Sequence, residues 1–260
     1  MIKIDAVILA GGKMAIDDPL YEQCVDGYRS MIDIMGKPMV QWVIDALDAA
    51  EDVADLYIVG LQPDSSLQSN KPLKFLEDQG DIFENARSGV IQSYADHPER
   101  SKVIVASADI PAVKHEMINW FTQQIAEAPE LMLYYNIITA ETMEAKFPHA
   151  NRSYVRFKDV AVCGGDLNAI DKSVFAIDRP LWQKLAQARK TPLKQAGMIG
   201  FDTLFLIALR LITLQGTVKK VCRKLDLEAK AYLCPFAEMG MDADKPHQLE
   251  ILKRYLEAGS

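Results

Sequence analysis

The stretch Ile4-Asp-Ala-Val-Ile-Leu-Ala10, closed by Gly11-Gly12, constrains the fold of this chain more than any other segment. Consecutive apolar and β-branched residues point to both sides of a strand, so the strand must be covered on both faces, as in the middle of a parallel sheet. A glycine pair directly after such a strand lets the main chain approach a ligand, and the exposed N–H groups of that turn favour phosphate oxygens. An ordinary strand-to-helix turn would use the same residues, so the remainder of the chain has to decide.

Further strands are expected at Leu56–Val59, Leu73–Leu76, Val103–Ala106 and Leu131–Ile138. Helical spacing of apolar residues predicts helices over Met39–Ala50, Ile82–Tyr94 and Lys114–Ala126 between them. Strand and helix alternating in this way predict a three-layer α/β/α fold around a mainly parallel sheet. Residues 13–30 have no period and read as a long loop, a feature that is usually functional in a compact domain. After residue 140 the pattern changes. Ser153–Phe157 and Val160–Cys163, followed by Gly164-Gly165-Asp166, predict a hairpin or mixed-sheet insertion. Val174–Ala188 and Phe201–Leu225 read as mainly helical, with Gly197, Gly200 and Gly216 as breaks; the apolar run Leu204–Leu214 reads as a buried helix. Ala229–Leu233 returns to strand and Gln248–Glu257 closes as an amphipathic helix. The simplest account is a single domain over 1–260, with a nucleotide-binding half to residue 140 and an acceptor-side half after it.

The formal net charge of −7 argues against general binding to nucleic acid or to an acidic membrane surface. The four cysteines form no C-x-x-C pair, so reduced thiols are the better reading than disulfides or zinc. No secretory leader is legible in the opening residues, and Leu204–Leu214 is too short to span a bilayer. A cytoplasmic location is expected; oligomeric state is not legible.

The chemistry-bearing residues follow in a fixed order. Lys13, Arg29 and Lys37 lie in or beside the long loop, where cations can neutralise a triphosphate and the charge that builds on departing pyrophosphate. Asp109, in Ala108-Asp109-Ile-Pro111, follows a buried strand and would stand at the sheet's C-terminal edge, where ligands of open α/β sheets collect. Mg2+ needs few carboxylates and fills its other positions with phosphate oxygen and water, so one or two aspartates suffice. Asp242 and Asp244, in Asp242-Ala-Asp-Lys-Pro246, are further candidates, although Asp244 is also placed to cap the last helix. The glycine pair is not a dinucleotide fingerprint, and Gly36-Lys37-Pro38 lacks the Ser/Thr of a Walker phosphate loop.

Val7-Ile-Leu-Ala-Gly-Gly12, Gly36-Lys-Pro-Met39 and Ala106-Ser-Ala-Asp-Ile-Pro111 together resemble the signature of MobA-like nucleotidyltransferases, a family of the GT-A-type nucleotide-diphospho-sugar transferase superfamily. Asp242-Ala-Asp-Lys-Pro246 with Leu249 resembles that family's closing aspartate motif, and Gly164-Gly-Asp-Leu-Asn168 a stretch met in some of its members. The resemblance implies that Gly11 and Gly12, with Ala10 and Lys13 beside them, bind the nucleotide; Asn85 and Gly89, on the segment that follows the second and third strands, are candidates for its base. It implies Arg29, Lys37 and Asp109 as catalytic residues, and Asp109 and Asp242 as ligands of Mg2+. Gly165, Asp166 and Asn168 would lie near the acceptor. The partners implied are an NTP and a small, phosphorylated or similar acceptor. The chain departs from the pattern in two places: Arg29 stands where a lysine is usual, and Lys-Met-Ala-Ile-Asp-Asp18 follows Gly12 in place of a glycine- and arginine-bearing loop. A nucleotide-binding module without catalysis, and a glycosyltransferase using an NDP-sugar, are the alternatives.

Overall fold

β1 (Ile4–Leu9) is buried from Ile4 to Ile8 and alternates between two cores. Ile4, Ala6 and Ile8 face one, and Val7 faces the other with Tyr57, Val59 and Val103. The computed structural model describes residues 2–64, 66–175 and 200–259. Besides β1, the strands are β2 (Asp33–Ile34), β3 (Lys37–Pro38), β4 (Val53–Val59), β5 (Leu73–Leu76), β6 (Lys102–Ser107) and β7 (Leu133–Thr139). They continue with β8 (Val155–Arg156), β9 (Ala161–Gly164), β10 (Leu167–Asp171) and β11 (Ala229–Leu233). Nine of them form one sheet in the order β5-β4-β1-β6-β10-β7-β9-β8, with β11 on β7, while β2 and β3 make a separate hairpin. The β5-β4-β1-β6 group is parallel; β10 runs antiparallel to both β6 and β7.

Seven helices pack around this sheet among the described residues, giving the expected three layers. They are α1 (Met39–Ala49), α2 (Ile82–Asp96), α3 (His115–Glu127), α4 (Ala140–Lys146), α5 (Phe201–Ala208), α6 (Leu214–Leu225) and α7 (Pro246–Ala258). α1 buries Val40, Val43, Ile44 and Leu47, one stripe at helical spacing, into the core shared with α3 and α7. α2 starts where the Asp81 carboxylate accepts the N–H groups of Phe83 and Glu84, and it covers the opposite face through Val90. No helix of the described residues is long and apolar enough to cross a membrane.

Three expectations need correction. Gly89 is a packing residue: a Cβ there would lie 2.4 Å from Val7 Cγ1 and 3.2 Å from Val59 Cγ2, so its absence lets α2 sit close on β1 and β4. Leu204–Leu214 is not a buried helix. It is broken after Ala208, Arg210 takes a left-handed φ of 55°, and Phe205, Leu209 and Leu211 are exposed, because the segment lies outside the main cores. Gly216 sits in the first turn of α6 under the Thr213 cap and is no break, whereas Gly200, at φ 105°, does precede α5. Gly197 and most of Val174–Ala188 fall outside the described residues; Lys172–Phe175 is a 3-10 turn. The expected mixed-sheet insertion is present: β8 and β9 pair antiparallel, and Gly164-Gly165-Asp166 leads into β10, which lies between β6 and β7.

The N-terminal rim of the sheet is closed by charge. Asp5 is fully buried, and its carboxylate accepts from Arg100 Nη1 at 2.5 Å and from Ser93 Oγ at 2.8 Å; the same Arg100 nitrogen lies 2.9 Å from Asp55. Losing one partner of a buried pair leaves a charge without compensation. Arg100→Ala is therefore expected to cost about 3 kcal/mol of stability in urea unfolding; a loss below about 1 kcal/mol, the range of surface ion pairs, would show that the network is only decorative.

Candidate active site

Parallel strands deliver their C-terminal ends to one rim, and this rim is fastened by main-chain hydrogen bonds. The Ala10 N–H donates to the Val59 carbonyl at 2.9 Å and the Ala108 N–H to the Leu9 carbonyl at 3.1 Å, so the exits of β1, β4 and β6 are fixed together. Gly11 packs on Gly60 so closely that a Cβ on Gly60 would fall 2.1 Å from Gly11 Cα. Gly12, at φ 89°, has a backbone that only glycine adopts without strain. Its N–H donates to Asp78 at 3.2 Å. The Asp78 carboxylate also accepts from the Gly80 N–H and Asn85 Nδ2, which hold it below the usual carboxylate range. Ala10, Gly11, Gly12, Asp78, Gly80 and Asn85 line a cleft of about 500 Å3 that also reaches Lys13, Arg29, Ser30, Ser107 and Asp109.

The long loop contributes its cations unequally. Ser30 is buried, and its hydroxyl donates to the Ala10 carbonyl at 3.0 Å, which binds the 3-10 turn Arg29–Met31 to the exit of β1. Arg29 is thereby carried to the rim, where Nη1 lies 3.5 Å from Asp109 and forms an ion pair with Asp244. Lys13 lines the cleft with its ammonium 5.2 Å from the Tyr28 ring. Lys37 does not line it. Its ammonium pairs with Asp45 and sits 3.7 Å over the Trp42 ring, because the β2–β3 hairpin turns it back onto α1.

The carboxylates converge as the order of motifs predicts. Asp109 leaves the end of β6, and its Oδ1 accepts from Ser107 Oγ at 2.5 Å. Its main-chain carbonyl accepts the Ala243 N–H at 3.0 Å, which brings the closing segment, with Asp242 and Asp244, to the same rim. The antiparallel β10 supplies the third contribution: the Ser107 N–H donates to the Asp166 carbonyl at 2.8 Å. Asp244 does not cap α7; Lys245 occupies the cap position without a side-chain bond, and the Asp244 carboxylate is turned to Arg29. Arg152 bridges the remaining pair, bonded to Asp242 through Nη1 and 3.5 Å from Asp166 through Nη2.

Four carboxyl groups thus crowd around two guanidiniums. Burial, reinforced by Asp242 and Asp109, pushes the Asp166 carboxyl up to about 8. Burial also raises Asp242 above the usual carboxylate range against the pull of Arg152. Such an excess of acid, made only of oxygen donors, fits a hard divalent cation, with Asp109 and Asp242 the residues that would hold it. Among the described residues, the three ligand-type groups already within 4.8 Å of one another are Asp5, Asp55 and His97, at the far rim. Arg100 already neutralises that cluster.

The structure therefore brings Ala10, Gly11, Gly12, Lys13, Arg29, Asn85 and Asp109 to one cleft, and Asp242, Asp166 and Gly165 to an adjoining cavity. It leaves Lys37 and Gly89 aside. Asn168 also lines neither space: its Oδ1 accepts the Asn136 N–H at 2.8 Å and its Nδ2 donates to the Gly165 carbonyl at 2.9 Å, so it orders the turn that carries Asp166. Asp78, Gly60, Ser30 and Arg152 are participants that motif reading overlooks. Only the Asp78-Gln-Gly80-Asp81 turn before α2 offered a signal for one of them.

The arrangement is that of an α/β protein with a glycine-turn cleft ending on an acidic rim. The model of the MobA-like NTP transferase domain matches residues 6–190, and the chain belongs to that family. A hypothetical transferase structure from Thermus thermophilus is 31% identical, with 95% of this chain and 100% of that chain covered and a TM-score of 0.80. The structure of CMP:2-keto-3-deoxy-manno-octonic acid synthetase complexed with CTP shares the fold at 14% identity, with a TM-score of 0.60 over 99% of this chain and 100% of that one. So does 2-C-methyl-D-erythritol 4-phosphate cytidylyltransferase from Thermus thermophilus, at 12% identity and a TM-score of 0.53 over 99% and 100%. No curated protein sequence matches the chain.

The crowding of carboxyls makes a signed prediction. An Asp whose folded-state proton is held to about pH 8, against about 3.9 when unfolded, stabilises the fold less and less as pH rises between those values. In metal-free protein, Asp166→Asn is expected to raise the Tm at pH 8, with the gain shrinking steadily toward pH 5. A gain that is absent at pH 8, or larger at pH 5, would contradict the repulsion among Asp109, Asp166, Asp242 and Asp244.

Proposed function

We propose that the protein transfers a nucleoside monophosphate from an NTP to a small acceptor with release of pyrophosphate, in a Mg2+-dependent reaction in the cytoplasm. The observation that carries this reading is the junction between two spaces: the glycine-turn cleft ends on Asp109, whose carbonyl is bonded to the segment bearing Asp242. In this reading Gly11, Gly12 and Lys13 receive the phosphates, and Asn85 lies toward the nucleoside. Asp109 and Asp242 would hold the cation, which supplies neutralisation of the phosphate oxygens when bound. An acceptor oxygen forms a bond to the α-phosphorus while the bond to the bridging oxygen of the β-phosphate breaks, and the electron pair leaves with pyrophosphate. Arg29, a permanently charged fork beside Asp109, answers the charge that gathers on the leaving group. No covalent intermediate on the protein is needed, only alignment and electrostatics.

One observation favours a second reading, a nucleotide-binding module without catalysis. The Gly12 N–H, which a phosphate would use, is engaged by the Asp78 carboxylate. Binding of an NTP without pyrophosphate release from any NTP and acceptor pair would establish that alternative.

Asp109→Ala is expected to lower pyrophosphate release by about a thousandfold or more, the scale of losing several kcal/mol of charge stabilisation, with the melting temperature close to wild type. Full metal-dependent turnover by this variant would reject the site.

A further inference from the structure

Both aspartates that would hold the divalent cation already carry a guanidinium. Arg29 lies 3.5 Å from Asp109 and pairs with Asp244, and Arg152 is bonded through Nη1 to Asp242. The second pair is the more enclosed: the Arg152 side chain is 13% exposed and that of Asp242 12%. An arginine stays charged at every working pH, so this compensation is withdrawn only by moving the side chain. A divalent cation that takes Asp242 must therefore compete with Arg152, and its affinity for the nucleotide-free protein is reduced to the extent that the pair stands closed.

The pair is built to open. A guanidinium that grips a carboxylate firmly does so with two parallel hydrogen bonds. Arg152 donates to Asp242 through Nη1, while its Nε is buried without a hydrogen-bond partner. On its other side Nη2 stands 3.5 Å from Asp166 Oδ2, which is itself buried and without a hydrogen-bond partner. Buried polar atoms are nearly always paired in folded proteins. An orphaned donor on the guanidinium and an orphaned acceptor 3.5 Å from its edge mark a second position for the same side chain. The chain around it allows the movement. Arg152 lies in an irregular stretch between exposed Asn151 and Ser153, with His149 and Asn151 at left-handed φ of 67° and 52°. That stretch is held at Ala150, whose carbonyl accepts Gln248 Nε2 at 3.2 Å.

We propose that Arg152 is a built-in counter-cation with two positions: it holds Asp242 in the cation-free protein and passes to Asp166 when a divalent cation takes Asp242. Arg152 is then a positioning residue, since it acts on the cation only through these two carboxyl groups. It sets how tightly the rim takes free cation, and it keeps buried acid compensated in both states. The proposal rests on the reading of Asp242 as a cation ligand.

The test is calorimetric titration of nucleotide-free protein with Mg2+, at constant pH and ionic strength, for wild type, Arg152→Gln, Asp166→Asn and the double variant. Arg152→Gln is expected to bind Mg2+ about tenfold tighter than wild type, the scale of one hydrogen bond to a charged group. Asp166→Asn, which removes the second position, is expected to weaken Mg2+ binding in the wild-type background and to change it little in the Arg152→Gln background. Equal or weaker binding by Arg152→Gln overturns the proposal, as does an equal effect of Asp166→Asn in both backgrounds. In metal-free buffer Arg152→Gln is expected to melt below wild type and to regain the loss in Mg2+ but not in NaCl of the same ionic strength. A loss that Mg2+ does not restore makes Arg152 merely structural and overturns the proposal. Should Arg152→Gln fail to fold, the Arg152 Nε–H resonance of wild-type protein, assigned by its loss in Arg152→Lys, decides. It is expected to shift with Mg2+ in wild type and to stay fixed in Asp242→Asn; a resonance indifferent to Mg2+ in wild type overturns the proposal. Asp242→Asn tests the underlying reading separately. Unchanged Mg2+ affinity in that variant refutes Asp242 as a ligand, whereas a loss there with no gain in Arg152→Gln refutes the counter-cation alone.

Discussion

A single main-chain contact organises the rim on which the functional reading depends. When the Ala243 N–H donates to the Asp109 carbonyl, a segment more than 130 positions later in the chain is set beside the end of β6, and Asp242 and Asp244 arrive with it. The cost is electrostatic. Burial, reinforced by the nearby Asp242, Asp109 and Asp244, disfavours ionisation of Asp166, and burial likewise disfavours that of Asp242. Arg29 and Arg152 offset part of that charge, each spanning two carboxylates. The remaining acid excess is what the proposed divalent cation would offset.

Backbone packing supports the same rim from the other side. Gly60 and Gly11 touch where any side chain would collide, so β4 and the exit of β1 approach closely enough to shape the cleft floor. Gly89 brings α2 down onto Val7 and Val59 beneath it. At the opposite edge, Lys102 reaches Asp171 at 2.9 Å and the Leu131 carbonyl, locking β10 between β6 and β7. A strand anchored at that edge delivers Asp166 at the other. Paired buried charge closes one end of the sheet, and an excess of acid stands at the other.

The parallel half of the fold was legible because Ile4–Leu9, Val53–Val59 and Lys102–Ser107 carry consecutive apolar residues that only a doubly covered sheet accommodates. β10 was not, since Leu167-Asn-Ala-Ile-Asp171 is short and half polar, and its partners come from distant parts of the chain. Asp109 was readable from its position after a buried strand. Arg152 was not, because it lies in an irregular stretch, next to Asn151 at φ 52°, where no period or motif marks it. Lys37 and Gly89 misled for opposite reasons: a motif lysine was turned away by a hairpin, and a glycine near the cleft in sequence serves packing beneath it. Local pattern identifies which residues lie at strand ends; which side chains then face one another depends on long-range pairing.

Joint binding of cation and nucleotide at this rim is the proposal on which the other roles depend. It is tested most directly by measuring the dissociation constants of CTP, GTP, ATP and UTP with and without Mg2+. At least one NTP is expected to bind about tenfold or more tightly with the metal present, a coupling of about 1.4 kcal/mol or more. Identical affinities with and without Mg2+ for every NTP would contradict it.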